Sequence, residues 1–196
     1  MQIKSAFDKS ERLKSNLPAG IIAGLKGMSS QRIWHLLNNL VVGPYLEIGV
    51  WKGSTLTAAL YGKKLSATAI DDFSQFGSPR SEFLENTKNL QFNFIDGDCF
   101  NHSVIFDVPE DIKYYFYDGG HREQDQYDAL VKYIDKMAKE FVYIVDDWNM
   151  ESVQHGTRRA IEDLDLTVQE FHERLTPGNG HKETWWNGIA VIKLRK

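Results

Sequence analysis

An apolar run at Tyr45-Leu46-Glu47-Ile48 stops at Gly49, and Gly53 follows four residues later, just before Ser54-Thr55 opens a helical pattern. Glycine lets a backbone turn sharply and approach a ligand closely. A helix start presents unpaired N–H groups and the positive end of its dipole to an anion. Strand, glycine turn and helix in that order point to an α/β plan with a ligand cradle at the turn. The dinucleotide fingerprint Gly-x-Gly-x-x-Gly is not met, because Glu47 stands where its first glycine belongs. An acid there suits a ligand bearing an amine or another positive charge better than a pyrophosphate.

From that point strands and helices alternate. Strands are expected over 46–49, 66–70, 91–95, 112–117 and 141–145, the fourth almost wholly apolar and aromatic as befits burial on both faces. Ser29 or Ser30 caps a helix striped by Ile33, Leu36, Leu37 and Leu40, which ends before Gly43-Pro44. Ser78-Pro79 supplies a cap and a first-turn proline for a helix through about residue 88. Tyr127, Leu130, Val131, Ile134 and Ala138 stripe another helix, and Thr157, Ala160, Ile161 and Leu164 stripe the next. Strands over 166–171 and 186–194 then follow with no helix between them. Parallel neighbours require a crossover, so this last pair is expected to be antiparallel.

The 196 residues are expected to form a single domain, with a helical extension at 1–42 and the α/β core at 43–196. Lys and Arg number 23 against 27 Asp and Glu, a net charge of −4, and no basic run offers a nucleic-acid footprint. The start has no apolar signal core, no run is long enough to span a membrane, and the single Cys99 fits a reducing compartment. These features lead to the expectation of a cytoplasmic protein without nucleic-acid or membrane partners; they say nothing of oligomeric state.

Glu47-Ile48-Gly49 with Gly53 resembles the first motif of the class I S-adenosylmethionine (SAM)-dependent methyltransferases. Each of the first five strands also delivers an acid near its carboxyl end: Glu47, Asp71-Asp72, Asp96 and Asp98, Asp118, and Asp146-Asp147. In open parallel sheets ligands bind outside those ends. Two carboxylates 4 Å apart repel by roughly 4 kcal/mol at an effective dielectric of 20, so a cation is expected among them. SAM, with a sulfonium and an ammonium, is one such cation. Glu47, Gly49 and Gly53 are expected to form its cradle, Ser54 and the backbone at its helix start to hold its carboxylate, and Asp71 or its neighbour Asp72 to accept its ribose hydroxyls. Asp98, with Cys99 and Phe100 beside it, takes the adenine, and Asp118 borders the same site. Asp98 equally suits a turn in Asp-Gly-Asp. A second cation, Mg²⁺ or another hard divalent ion, fits Asp118, Asp146 and Asp147; helix capping by Asp147 is the alternative.

Tyr117-Asp118-Gly119-Gly120-His121-Arg122-Glu123-Gln124, followed by Val145-Asp146-Asp147-Trp148-Asn149, is similar to the small-molecule macrocin-type O-methyltransferases. The resemblance runs from about Leu46 to Trp148 and more weakly to the C-terminus. It implies a Rossmann-like, doubly wound, mostly parallel seven-stranded sheet in the order 3-2-1-4-5-7-6, with helices on both faces and one antiparallel strand. It also implies a metal at Asp118, Asp146 and Asp147 that binds the acceptor's hydroxyls. Members with Asp-Gly-Asp after strand four use the second Asp as general base; here that position is Gly120. His121 next to it titrates near neutrality and is the candidate base beside Asp118, or else a helix-start residue stacked on Trp148.

The expected function is therefore SAM-dependent methyl transfer to a hydroxyl of a small acceptor, a sugar or another hydroxylated metabolite. The loop 172–185 hangs near the same edge, where Lys182, Trp185 and Trp186 either meet a sugar or aromatic ring or simply pack. A rival reading is a non-catalytic protein that binds SAM or its product S-adenosylhomocysteine (SAH). A nicotinamide-dependent oxidoreductase is disfavoured by Glu47 and by the final hairpin.

Overall fold

The side chains of the central strands divide by parity. Leu46, Ile48, Tyr115, Tyr117, Tyr143 and Val145 enter one apolar cluster, while Tyr45, Phe116, Val142 and Ile144 enter another on the opposite face. That alternation makes a sheet buried on both sides, and the computed structural model, which describes residues 3–196, shows it. The strands are β1 (Tyr45–Ile48), β2 (Ala67–Asp71), β3 (Asn93–Asp96), β4 (Ile112–Tyr117), β5 (Met137–Asp146), β6 (Thr167–Arg174) and β7 (Ile189–Arg195). Their order is β3-β2-β1-β4-β5-β7-β6, with β7 antiparallel to both neighbours. This is the expected Rossmann-like arrangement.

The helices are α1 (Ile3–Glu11), α2 (Ala19–Gly24), α3 (Gln31–Leu40), α4 (Ser54–Leu60), α5 (Arg80–Thr87), α6 (His102–Asp107), α7 (Glu123–Val131) and α8 (Glu151–Asp163). Phe7 of α1, Leu36 of α3, Leu56 of α4 and Phe83 of α5 cover one face; Val104 of α6, Leu130 of α7 and Ala160 of α8 cover the other. Thus α1 to α3 occupy the region expected to be a helical extension, whose first two residues lie outside the described ones. Among the described residues no helix is long and apolar enough to cross a membrane.

Three local expectations change. The stripe from Tyr127 does not run to Ala138: α7 ends at Val131, Ile134–Lys136 form a 3-10 turn, and Ala138 already lies in β5. β5 begins early because Met137 pairs with Ile112 across a register shift, and apolar residues spaced by chance look alike in a helix end and a buried strand. Ser78 does not cap α5. It has φ 53° and donates its hydroxyl to the Phe73 carbonyl at 2.8 Å, leaving Pro79 in the cap position. The short α6, capped by Asn101 accepting from Ser103 N at 3.0 Å, escaped the apolar periodicity because it has only one buried side chain. Ser30, by contrast, caps α3 as expected, accepting from Ile33 N.

Register positions the site. Ile70, Ile48, Tyr117 and Val145 stand level across β2, β1, β4 and β5. The next residue of each strand therefore reaches one rim: Asp71, Gly49, Asp118 and Asp146.

Candidate active site

A cavity of about 810 Å³ opens at that rim. Gly49 supplies its floor, with φ 86° and no room for a side chain, since a Cβ would lie 1.9 Å from the Asp118 carbonyl oxygen. Gly49, Asp71, Asp98, Cys99, Asp118, His121, Asp146 and Asp147 all line the cavity, drawn together from five strand ends.

Glu47, Gly53 and Ser54 do not line it. The two-residue period of β1 turns Glu47 into the core, where it accepts hydrogen bonds from the Tyr45 hydroxyl and, at 2.6 Å, from the Thr55 hydroxyl. Burial pushes its carboxyl up to about 7 against those two bonds, which pull it down. Gly53 has φ 79° and faces Thr87 and Phe83 of α5. Ser54 is buried beneath the N-terminal segment: a Cβ on Gly27 would stand 2.0 Å from its Oγ. The adjacent Met28 reaches the cavity wall, so this segment both covers the start of α4 and borders the ligand space.

On the β2 side, Asp71 holds two backbone turns, accepting from Trp51 N at 2.8 Å and Phe73 N at 2.7 Å. Trp51, in a left-handed conformation with φ 41°, extends over the cavity and donates its indole N–H to the Phe76 carbonyl. Asp98 is exposed and accepts from Phe100 N at 2.8 Å, the Asx turn that the Asp-Gly-Asp sequence allows. Cys99 stays a neutral thiol, because burial and then Asp98 raise it to about 12.

The acids converge on the β4–β5 side. His121 Nε2 lies 2.6 Å from Asp147 Oδ2. Ligand atoms of Asp118, His121 and Asp147 all fall within 4.8 Å of one another. Asp146, beside them and 2% exposed, keeps one carboxylate oxygen buried with no hydrogen-bond partner among the described residues. Burial first and neighbouring carboxylates second hold Asp118 and Asp146 well above the usual carboxylate range. His121 is raised, chiefly by its hydrogen bond to Asp147. Asp147 has φ 56° and precedes α8 without capping it, the cap position being Met150. The geometric trio thus takes in His121, while Asp146 stands next to it.

Several lining residues are not singled out for a role by the sequence: Met28, Trp51, Phe76, Asn187 and, although it lies in the 117–124 motif, Arg122. Arg122 is tied to Asp125 at 2.7 Å. Trp185 is buried against Phe7 of α1 (ring centroids 5.3 Å apart), whereas Trp186 borders the cavity and Lys182 is exposed. A second cavity of about 450 Å³, between α8 and β6, holds none of the converging acids.

No protein-family model and no curated protein matches the sequence. Solved structures do match the fold. An O-methyltransferase from Bacillus cereus in complex with SAH superposes with TM-score 0.65 over 100% of both chains at 12% identity. A protein from Pyrococcus horikoshii named as an RNA methyltransferase gives TM-score 0.59 over 100% of this chain and 98% of its own, at 12% identity. A Streptococcus mutans protein named as a SAM-dependent methyltransferase gives 0.60 over 85% of this chain at 10% identity, and the present chain spans only 48% of its length. Identities this low carry the fold and nothing finer, and on that footing the chain has the fold of the SAM-dependent methyltransferases.

Proposed function

We propose that the chain is a SAM-dependent methyltransferase that acts on a hydroxyl of a small molecule, with residues 1–196 working as one domain. The observation that carries this reading is the convergence of Asp118, His121, Asp146 and Asp147 on one wall of a cavity whose floor is a side-chain-free glycine. Backbone at Gly49 and Trp51 takes the cofactor's amino-acid end in this reading, Asp71 and Asp72 face its ribose, and Asp98, Cys99 and Phe100 flank its base. Bringing methyl donor and acceptor oxygen into line supplies most of the rate in such a displacement.

The wall has a donor set suited to a hard divalent cation. Carboxylate oxygens and one imidazole nitrogen lie within 4.8 Å of each other, and a buried carboxylate oxygen beside them has no hydrogen-bond partner among the described residues. Asp118, His121 and Asp147 would hold the ion, with Asp146 behind them. When bound, it would lower the pKa of an acceptor hydroxyl. The hydrogen bond between His121 and Asp147 favours a second reading of the same wall. With Nε2–H directed to Asp147, Nδ1 is the nitrogen free to take the acceptor's proton, and Asp147 stabilises the resulting imidazolium.

The test is transfer of labelled methyl from SAM to a pool of hydroxylated metabolites and sugars, run with Mg²⁺, with Mn²⁺ and with EDTA, beside a thermal-shift titration with SAH. Transfer that EDTA abolishes supports the cation; transfer indifferent to EDTA leaves His121 as base. An SAH-dependent shift without transfer to any acceptor, RNA included, favours the non-catalytic binding protein. The absence of any shift removes the SAM reading.

A further inference from the structure

The β6–β7 connection, residues 175–188, hangs over the acidic wall, with Gly180, Trp186 and Asn187 lining the cavity. It is held at three places. Asn149, just past β5, donates to the Thr176 hydroxyl at 2.8 Å and accepts from Thr176 N at 3.0 Å. Trp185 packs on Phe7 of α1. The third hold is Asn187, whose Oδ1 accepts from Gly180 N at 2.6 Å while its Nδ2 donates to Asp147 Oδ1.

Asp147 uses its other oxygen for His121. A continuous line of hydrogen bonds thus runs from the loop backbone at Gly180, through Asn187 and Asp147, to the His121 ring. Its members suit their places. An amide head has a donor and an acceptor in one plane, so asparagine satisfies a backbone N–H and a carboxylate at once; aspartate there offers acceptors only. A buried carboxylate with a separate partner on each oxygen has one orientation, whereas one with a free oxygen turns about its bond. Asp147 is 3% exposed, so solvent does not replace a lost partner.

We propose that Asn187 is a positioning residue: it fixes the Asp147 carboxylate against His121 and makes seating of the 175–188 loop over the acceptor a condition of that alignment. Loop closure and readiness of the His121–Asp147 pair are then one event. The kinetic consequence rests on the methyltransferase reading; the physical link does not.

The test compares the full chain with Asn187→Asp, Asn187→Ala and Asp147→Ala. Asn187→Asp still accepts from Gly180 N but confronts Asp147 with a second carboxylate. With the best acceptor of the pool, its kcat is expected to fall about 10- to 100-fold, the usual effect of disturbing such an orienting partner. Its acceptor KM and its calorimetric SAH affinity should stay near those of the parent. Asn187→Ala loses both bonds and should raise KM as well. A parent-like kcat in Asn187→Asp, or a fall matched by lost SAH affinity, overturns the proposal. Hydrogen exchange supplies an arm that needs no acceptor. Asp147→Ala should speed exchange at the Gly180 amide by roughly tenfold, as local opening becomes easier. Unchanged exchange there overturns the proposal even if turnover is found. Failure of the parent chain to methylate anything removes only the functional reading, and the exchange result still decides the link.

Discussion

A Cβ on Gly49 would stand 1.9 Å from the carbonyl oxygen of Asp118, so the turn after β1 and the end of β4 meet backbone to backbone. The cavity floor exists because one residue has no side chain. The same contact brings the first acid of the β4–β5 wall against the glycine that forms the floor.

Gly49→Ala is therefore expected to be severe. The residue has φ 86°, which an L side chain tolerates poorly, and the clash is with backbone rather than a movable side chain. A loss of about 3 kcal/mol or more is expected in denaturant unfolding, together with loss of SAH binding in whatever fraction remains folded. A variant with parent-like stability would show that β1 and β4 are not so closely apposed.

Glu47 sets a pH dependence. Its folded pKa, about 7, lies above the 4.5 of a freely solvated glutamate. The native state thus holds the proton more tightly than the unfolded chain, so its stabilising contribution is complete below about 4.5 and is lost as pH rises towards 7. Glu47→Gln keeps the shape without the charge, and its amide can donate to the Tyr45 oxygen. Its melting temperature should match the parent's at pH 4.5 and exceed it at pH 8, by an amount corresponding to about 1–3 kcal/mol. Equal melting temperatures at both pH values would mean Glu47 is ionised in the fold at no cost.

Gly27 and Ser54 form a second close pair. Gly27→Ala places a Cβ 2.0 Å from Ser54 Oγ and 2.9 Å from its Cβ, so the hydroxyl cannot escape by rotation alone. The segment carrying Met28 should lift from the cavity, weakening SAH binding by about tenfold, or roughly 1.4 kcal/mol. Adding Ser54→Gly removes both clashing atoms and should restore most of the affinity. Lack of rescue would locate the effect elsewhere in the segment.

Asp146 combines stability with function. Its buried oxygen, without a partner among the described residues, and its raised carboxyl mark a charge that these residues do not satisfy. Asp146→Asn should raise the melting temperature of the ligand-free protein at pH 8 while cutting turnover about 100-fold or more, a trade seen where sites store strain. SAH affinity should remain close to the parent's. Full activity in this variant would show that the Asp146 carboxylate takes no part in the mechanism.

The sequence by itself determined the alternation of strands and helices, the reversed final strand and the row of acids at the carboxyl ends. These follow from local rules: a two-residue period for strands, a longer one for helices, and the need for a crossover between parallel neighbours. It left open which acids share a wall. Glu47 and Asp118 both follow apolar residues of a strand, yet Glu47 stands level with Phe116, two residues before the rim, and points into the core, a difference that only strand register and packing reveal. Ser54 looked free to meet a ligand until Gly27, from a weakly patterned segment, came down on it. Asn187 and Met28 reach the cavity from opposite ends of the chain, and no local pattern records contacts made across such separations. The tertiary structure decided them, because a hydrogen bond or a steric contact depends on where the folded backbone puts two groups and not on how far apart they lie in sequence.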